Sequence, residues 1–290
     1  MRIAAVMVGT DKGPLGRFRR ADANTERLKL AGKIAAYTQG AGRAEVVLLP
    51  AGFLAVKAEE DIKVMAMELA VIFQKQVLLA GIDEENGKES GEKGQQGETG
   101  GKIRKSKEED EDEEEDESDE AYEDEEEEDD ESEVADGDEG YRYWAFASRR
   151  GEIVGGPWWQ RSAFSGEGVS DPSPRLVQVC DMKIGVLICG ELYNRDLAES
   201  LGGEKPGLVV NLAHLSMTRF TKSLHRVAKE AKCPVLHVQH VAWSAYRVSK
   251  WKATPRSVRR ELEPDWASYE EEGWDPGARA LWAEVKIWEI

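Results

Sequence analysis

Apolar positions along this chain alternate between two patterns: short continuous runs, and longer stretches with helical spacing. The first run, RIAAVMVG from Arg2, reads as a buried strand. Residues 23–38 then follow a helical repeat, with Leu28, Ala31, Ile34, Ala35 and Thr38 on one side. Asp22 and Asn24 are the expected N-caps. EVVLLP is a second buried strand, and AEEDIKVMAMELAVIFQKQ a second helix. Its inward face is Ile62, Met65, Leu69, Ile72 and Phe73, and acids occupy its first turn. VLLAGI is a third strand. After a long polar interval, YRYWAFASRRGEIVGG predicts two strands joined by a turn at Arg149–Gly151. RLVQVCDMKIGVLIC predicts another strand pair with a turn near Asp181. ELYNRDLAESLGG is a helix and GLVVNLAHL a strand. RFTKSLHRVAKEAKC is a helix with Phe220, Leu224, Val227 and Ala231 inward, and PVLHVQHVAW is a strand. Residues 244–280 show no regular pattern, and WAEVKIWEI alternates like a closing strand. Strands alternating with helices, some paired as hairpins, predict an α/β layered domain with a mixed sheet.

Charge changes this picture in one place. The formal net charge is −18, but residues 83–140 hold 31 of the 57 acidic residues and 6 of the 39 basic ones. The rest is mildly basic, 33 against 26. The expected organisation is one discontinuous domain, 1–82 with 141–290, interrupted by an acidic low-complexity insert over 83–140 that is too polar to fold by itself. All 9 Trp follow the insert, so the later segment belongs to a core. The insert invites a basic protein partner. It could also fold back on basic residues such as Arg17, Arg19, Arg20, Lys250, Lys252, Arg256, Arg259 and Arg260.

Three Cys without tight spacing argue against a disulfide framework or zinc site. No stretch reaches transmembrane length and the first apolar run is too short for a secretory leader, so the expectation is an intracellular, cytoplasmic protein without a membrane role. No phosphate loop, dinucleotide fingerprint or metal-ligand spacing is present, and no cofactor or metal is expected.

The candidate chemistry centres on KIGVLICGELYN. A buried run ends abruptly at Cys189-Gly190-Glu191 and a helix pattern begins. A strand-to-helix turn can hold a residue exposed for reaction, although free Cys is also a common buried residue. Polar residues close other predicted strands, where α/β sites form. His214 follows the strand expected beside the Cys strand, so it is a candidate base for a Cys–His pair or a strand-end residue bonded to a carbonyl. His240 and His237 read as structural.

The order of these pieces resembles the nitrilase, or carbon–nitrogen hydrolase, superfamily. The likeness runs through ANTERLKLAGKIAAYTQGAGRAEVVLLP, GEIVGGPWWQRSAF, GLVVNLAHLS and LHRVAKEAKCPVLHVQHV, and is most specific at KIGVLICGELYNRDLAESL. It implies a four-layer αββα sandwich, often a homodimer, that acts on a small amide or nitrile-like substrate. Its expected catalytic set is a Cys nucleophile, a Glu base and a Lys that stabilises the tetrahedral intermediate. Cys189 matches the nucleophile. The Glu position after Pro50 holds Ala51, and the Lys position falls on Gln160, with Arg161 beside it. Glu191 occupies a place where the family usually keeps an acid, so it is a candidate base or a turn stabiliser. Gln160, Arg161 and Gly190 are candidate substrate-binding residues, and Glu167 a candidate accessory acid that by itself reads as a solvated loop residue. Two expectations follow. One is a divergent amidase- or nitrilase-like hydrolase that keeps its Cys and alters its mechanism. The other is a catalytically inactive nitrilase-like binding or scaffold protein.

Overall fold

The computed structural model describes residues 1–10, 20–85, 141–162, 168–214, 220–240, 242–246, 257–260 and 281–290. Strands β1 (Arg2–Thr10), β2 (Val46–Leu48), β3 (Leu54–Val56), β4 (Val77–Glu85), β5 (Tyr141–Arg149) and β6 (Glu152–Trp159) belong to one sheet. Strands β7 (Leu176–Val179), β8 (Met182–Ile188), β9 (Leu208–Leu212), β10 (Val235–Gln239) and β11 (Ala242–Tyr246) form a second sheet, in the order β11-β10-β9-β8-β7. Strands β12 (Ser257–Arg260) and β13 (Leu281–Glu289) return to the first, whose order is β12-β13-β1-β2-β4-β5-β6, with β3 also paired to β4. Helices α1 (Asn24–Gln39) and α2 (Ile62–Ile72) serve the first sheet, and α3 (Arg195–Glu204) and α4 (Phe220–Ala231) the second.

Three cores stack between these layers. Ala4, Val6 and Val8 of β1 face α1 and α2, packing with Leu30, Ile34, Ile62 and Leu69. Ile3 and Ala5 point the other way, into a core shared with Ile184, Val186 and Ile188 of β8 and Leu208, Val210 and Leu212 of β9. The odd positions of the second sheet, such as Leu187 and Val209, meet Leu201, Leu224 and Val227 of α3 and α4. This is a four-layer αββα sandwich. The continuous apolar runs follow from it: a central strand with a layer on each face has no solvent side. Burying one such Val, Leu or Ile side chain contributes roughly 1.5–3 kcal/mol.

Both sheets place the C-terminal ends of their parallel strands at one end of the sandwich. Strands β1, β2 and β4 run parallel, as do β8, β9 and β10. An isolated parallel bridge from Val8 to His240 ties the two sheets together there.

Several local expectations need correction. Strand β4 does not stop at Ile82. Asp83, Glu84 and Glu85 continue it, paired with Tyr143, Arg142 and Tyr141, because β5 resumes in antiparallel register and satisfies their backbone. The acidic insert therefore begins later than 83, and its remainder lies outside the described residues. Helix α1 has Ala23 at its N-cap with no side-chain cap. Asn24 instead reaches β3, donating to the Ala55 carbonyl at 2.6 Å and accepting from its N–H at 3.1 Å. Strand β12 lies inside 244–280, where no regular element is expected. Lys250, Lys252, Arg256 and Glu167 lie outside the described residues. Among those residues, no helix is long and apolar enough to cross a membrane.

One glycine sets the path of the chain at the site. A Cβ on Gly81, in β4, would stand 2.3 Å from the Ala51 Cα. Gly81→Ala is expected to lower stability by roughly 1–3 kcal/mol by overpacking and to displace the Ala51–Gly52 turn. Gly32→Ala, in open space on α1, should raise stability by about 0.5–1 kcal/mol. Denaturant midpoints of the two variants check both signs.

Candidate active site

Cys189 directly follows β8 and opens a short 3-10 helix, Cys189–Tyr193. Its φ is 46°, a left-handed conformation that an L-residue adopts at a cost of about 1–2 kcal/mol. The next residues show what holds it. The Glu191 carboxylate, fully buried, accepts from the Ile188 backbone N–H at 3.0 Å and the Arg161 N–H at 2.7 Å. It also pairs with Arg175 at 2.6 Å. Arg226 of α4 donates to the Leu192 and Tyr193 carbonyls at 3.2 and 2.7 Å. Asn194 caps α3 through Leu197 N–H at 3.2 Å. The turn is clamped from three sides, and the thiol is left half-buried at its apex.

His214 lies two residues beyond β9, the neighbour of β8. Its Nε2 contacts both oxygens of Asp83, at 2.7 and 3.0 Å. Asp83 is fully buried at the end of β4, in the other sheet. A ring nitrogen held by a carboxylate carries a proton, which leaves Nδ1 as the nitrogen that Asp83 does not engage. Nδ1 is buried without a full hydrogen bond of its own, as in many resting sites where the bond tightens on substrate binding. The Tyr143 ring packs against the His214 ring, tilted by 42° with centroids 4.2 Å apart. His240, 6.0 Å away, donates from Nε2 to the Ala51 carbonyl at 2.6 Å.

Electrostatics separates these groups. Burial by itself would raise the Cys189 thiol, but the neighbouring His214 outweighs it and holds the thiol below its ordinary value. Burial pulls His214 down, yet the Asp83 carboxylate and the thiolate lift it to about 9. Cys233, buried without such a partner, is pushed up to about 12. His240 drops to about 3, through burial and then the nearby His214 charge, and stays neutral. Thiolate and imidazolium therefore favour one another, with Asp83 behind the cation.

No protein-family profile matches the chain, and no curated protein matches it either. Solved structures do. An amidase from Nesterenkonia sp. superposes with a TM-score of 0.50 at 14% identity, over 83% of this chain and 76% of that one. A double mutant of that amidase in complex with acrylamide gives 0.51, at 14% identity over the same shares. A further mutant, described as an amidase from the nitrilase superfamily, gives 0.50 at 13% identity, again over 83% and 76%. This chain has a nitrilase-like fold.

Within the nitrilase fold the expected residues fall into two groups. Cys189 and His214 come together. Glu191 takes the structural one of its two readings, since both of its oxygens are engaged by the turn. Arg161 is spent there too: its guanidinium donates to the Asp171 and Ser173 carbonyls, both at 2.7 Å, and approaches Glu191 at 3.5 Å. Gln160 gives its Nε2 to the Ser162 carbonyl at 2.8 Å, so one of its donors is consumed. Gly190 is buried behind Cys189. His237 bonds Asn211 and Gln239 and is a packed core residue. Ala51, at the Glu position, presents only a methyl group, and the turn after it carries Gly52. A Cβ on Gly52 would meet Asp83 Oδ2 at 2.5 Å and His214 Nε2 at 2.7 Å.

Asp83 is the residue the sequence reading missed. One signal pointed to it: like Cys189 and His214, it is a polar residue closing a continuous apolar run. The acid-rich composition that follows masked it.

Glu191→Gln is expected to cost roughly 3–5 kcal/mol, because it leaves the buried Arg175 uncompensated. A thermal or denaturant melt measures this.

Proposed function

We propose that this protein is a carbon–nitrogen hydrolase of the amidase type in which Cys189 is the nucleophile and His214, oriented by Asp83, replaces the usual base. The Asp83–His214 contact beside the thiol carries the reading. An inactive scaffold would have no use for a buried carboxylate aimed at an imidazole whose other nitrogen is left for a thiol.

The chemistry follows from the groups present. The Cys189 thiolate attacks the carbonyl carbon of a small amide and forms an S–C bond. Backbone N–H groups at the start of the short helix, with Gly190 allowing close approach, meet the developing oxyanion. The His214 imidazolium gives its proton to the leaving nitrogen as the C–N bond breaks, and the amine departs. Water then attacks the thioester. His214, now neutral, takes its proton, and the acid is released as the thiol re-forms. Asp83, in contact with the ring through both oxygens, stabilises the cation.

The test is hydrolysis of a panel of short aliphatic amides. Cys189→Ala should abolish turnover, and Asp83→Asn should lower kcat/KM by roughly 10²–10⁴-fold. Activity should rise with pH through the depressed thiol titration and fall as His214 loses its proton near pH 9. Full turnover in His214→Gln would count against the proposal.

A further inference from the structure

Arg27 is a fully buried arginine of α1 that the reaction above does not use. Its NH1 donates to the Gly52 and Phe53 carbonyls at 3.2 and 3.4 Å, and its NH2 to the Arg20 carbonyl. Gly52 is the residue whose Cα stands directly against the Asp83–His214 contact. Arg27 therefore fastens the turn that packs on the triad. Its Nε has no partner, so hydrogen bonding alone does not account for keeping a guanidinium here. Asp83 provides the largest attraction that offsets its burial.

We propose that Arg27 is a positioning residue, resting on the assignment of Cys189, His214 and Asp83, that keeps Cys189 as a thiolate by balancing the buried charge and clamping Gly52 onto the Asp83–His214 pair. The charge count gives the reason. The thiolate, imidazolium and Asp83 carboxylate together carry one net negative charge. Arg27 brings a positive charge that Asp83 attracts most strongly, with Glu85 and Asp22 also acting on it. Without Arg27 the cluster gains by binding one proton, and the thiolate is the site that takes it. The other groups facing this region do not supply a substitute. His240 is neutral, and Asp22 and Glu85 near Arg27 add negative charge.

The test titrates the thiol rather than turnover, so it does not depend on knowing the substrate. The full chain is alkylated with iodoacetamide across pH, and modification of Cys189 is read by peptide mass. In Arg27→Met the midpoint of Cys189 alkylation should move upward by about half a unit or more, a three-fold loss of reactivity below the midpoint. Arg27→Lys keeps the charge but cannot bond both carbonyls. Its midpoint should stay near that of the wild type while kcat falls. Where Arg27→Met does not fold, Arg27→Gln, which retains donors for Gly52 and Phe53, serves as the neutral variant. A depressed wild-type midpoint that neither neutral variant moves overturns the role of Arg27 alone. A wild-type Cys189 that titrates like the exposed Cys180 overturns the triad reading beneath it.

Discussion

The contact between Asp83 and His214 crosses the sandwich. One partner ends β4 of the first sheet, and the other follows β9 of the second. It is a buried charge pair, and such a pair is retained only where the geometry is good and the remaining polar atoms are met. The surroundings meet that demand. Both Asp83 oxygens face His214, Arg27 supplies a second cation, and Gly52 packs against the pair with no space for a side chain. Two further links close the same end of the sheets: the Val8–His240 bridge and the hydrogen bond from His240 to Ala51. Apolar packing holds the sheets face to face along their length, while polar contacts fix their alignment where the chemistry sits.

A second constraint acts on the turn at Cys189. The residue is held in a left-handed conformation by a carboxylate two positions ahead, not by a base awaiting substrate. Glu191 draws together Ile188, Arg161 and Arg175, which come from β8, the end of β6 and the segment before β7. The strain at Cys189 is balanced by that buried network. The two buried carboxylates are thereby distinct: Glu191 shapes the turn, and Asp83 contacts the imidazole.

Departures from the nitrilase pattern fit together on this basis. With Ala51 at the Glu position, the turn after β2 comes close to β4, close enough that Gly81 can carry no side chain. Gln160 stands where the resemblance places a Lys, and its Nε2 is given to the Ser162 carbonyl.

Most of the architecture was legible in the chain. The runs at Arg2, Val46, Val77, Met182, Leu208 and Val235 each became a central strand, because burial on both faces demands continuous apolar sequence. The helical stripes at Ile34 and Leu69 became the outer layer for the matching reason. Cys189 was legible as well, since an abrupt end to an apolar run before a helix marks a turn. What the sequence could not show was which strand ends meet. Asp83 and His214 are 131 residues apart, with a highly acidic segment between them that makes Asp83 resemble the start of a solvated run. Local pattern reports which side of a strand is buried, but it carries no information about the partner across the sandwich. Only the packing of two sheets, in one register, brought a carboxylate from the first and an imidazole from the second to the same thiol.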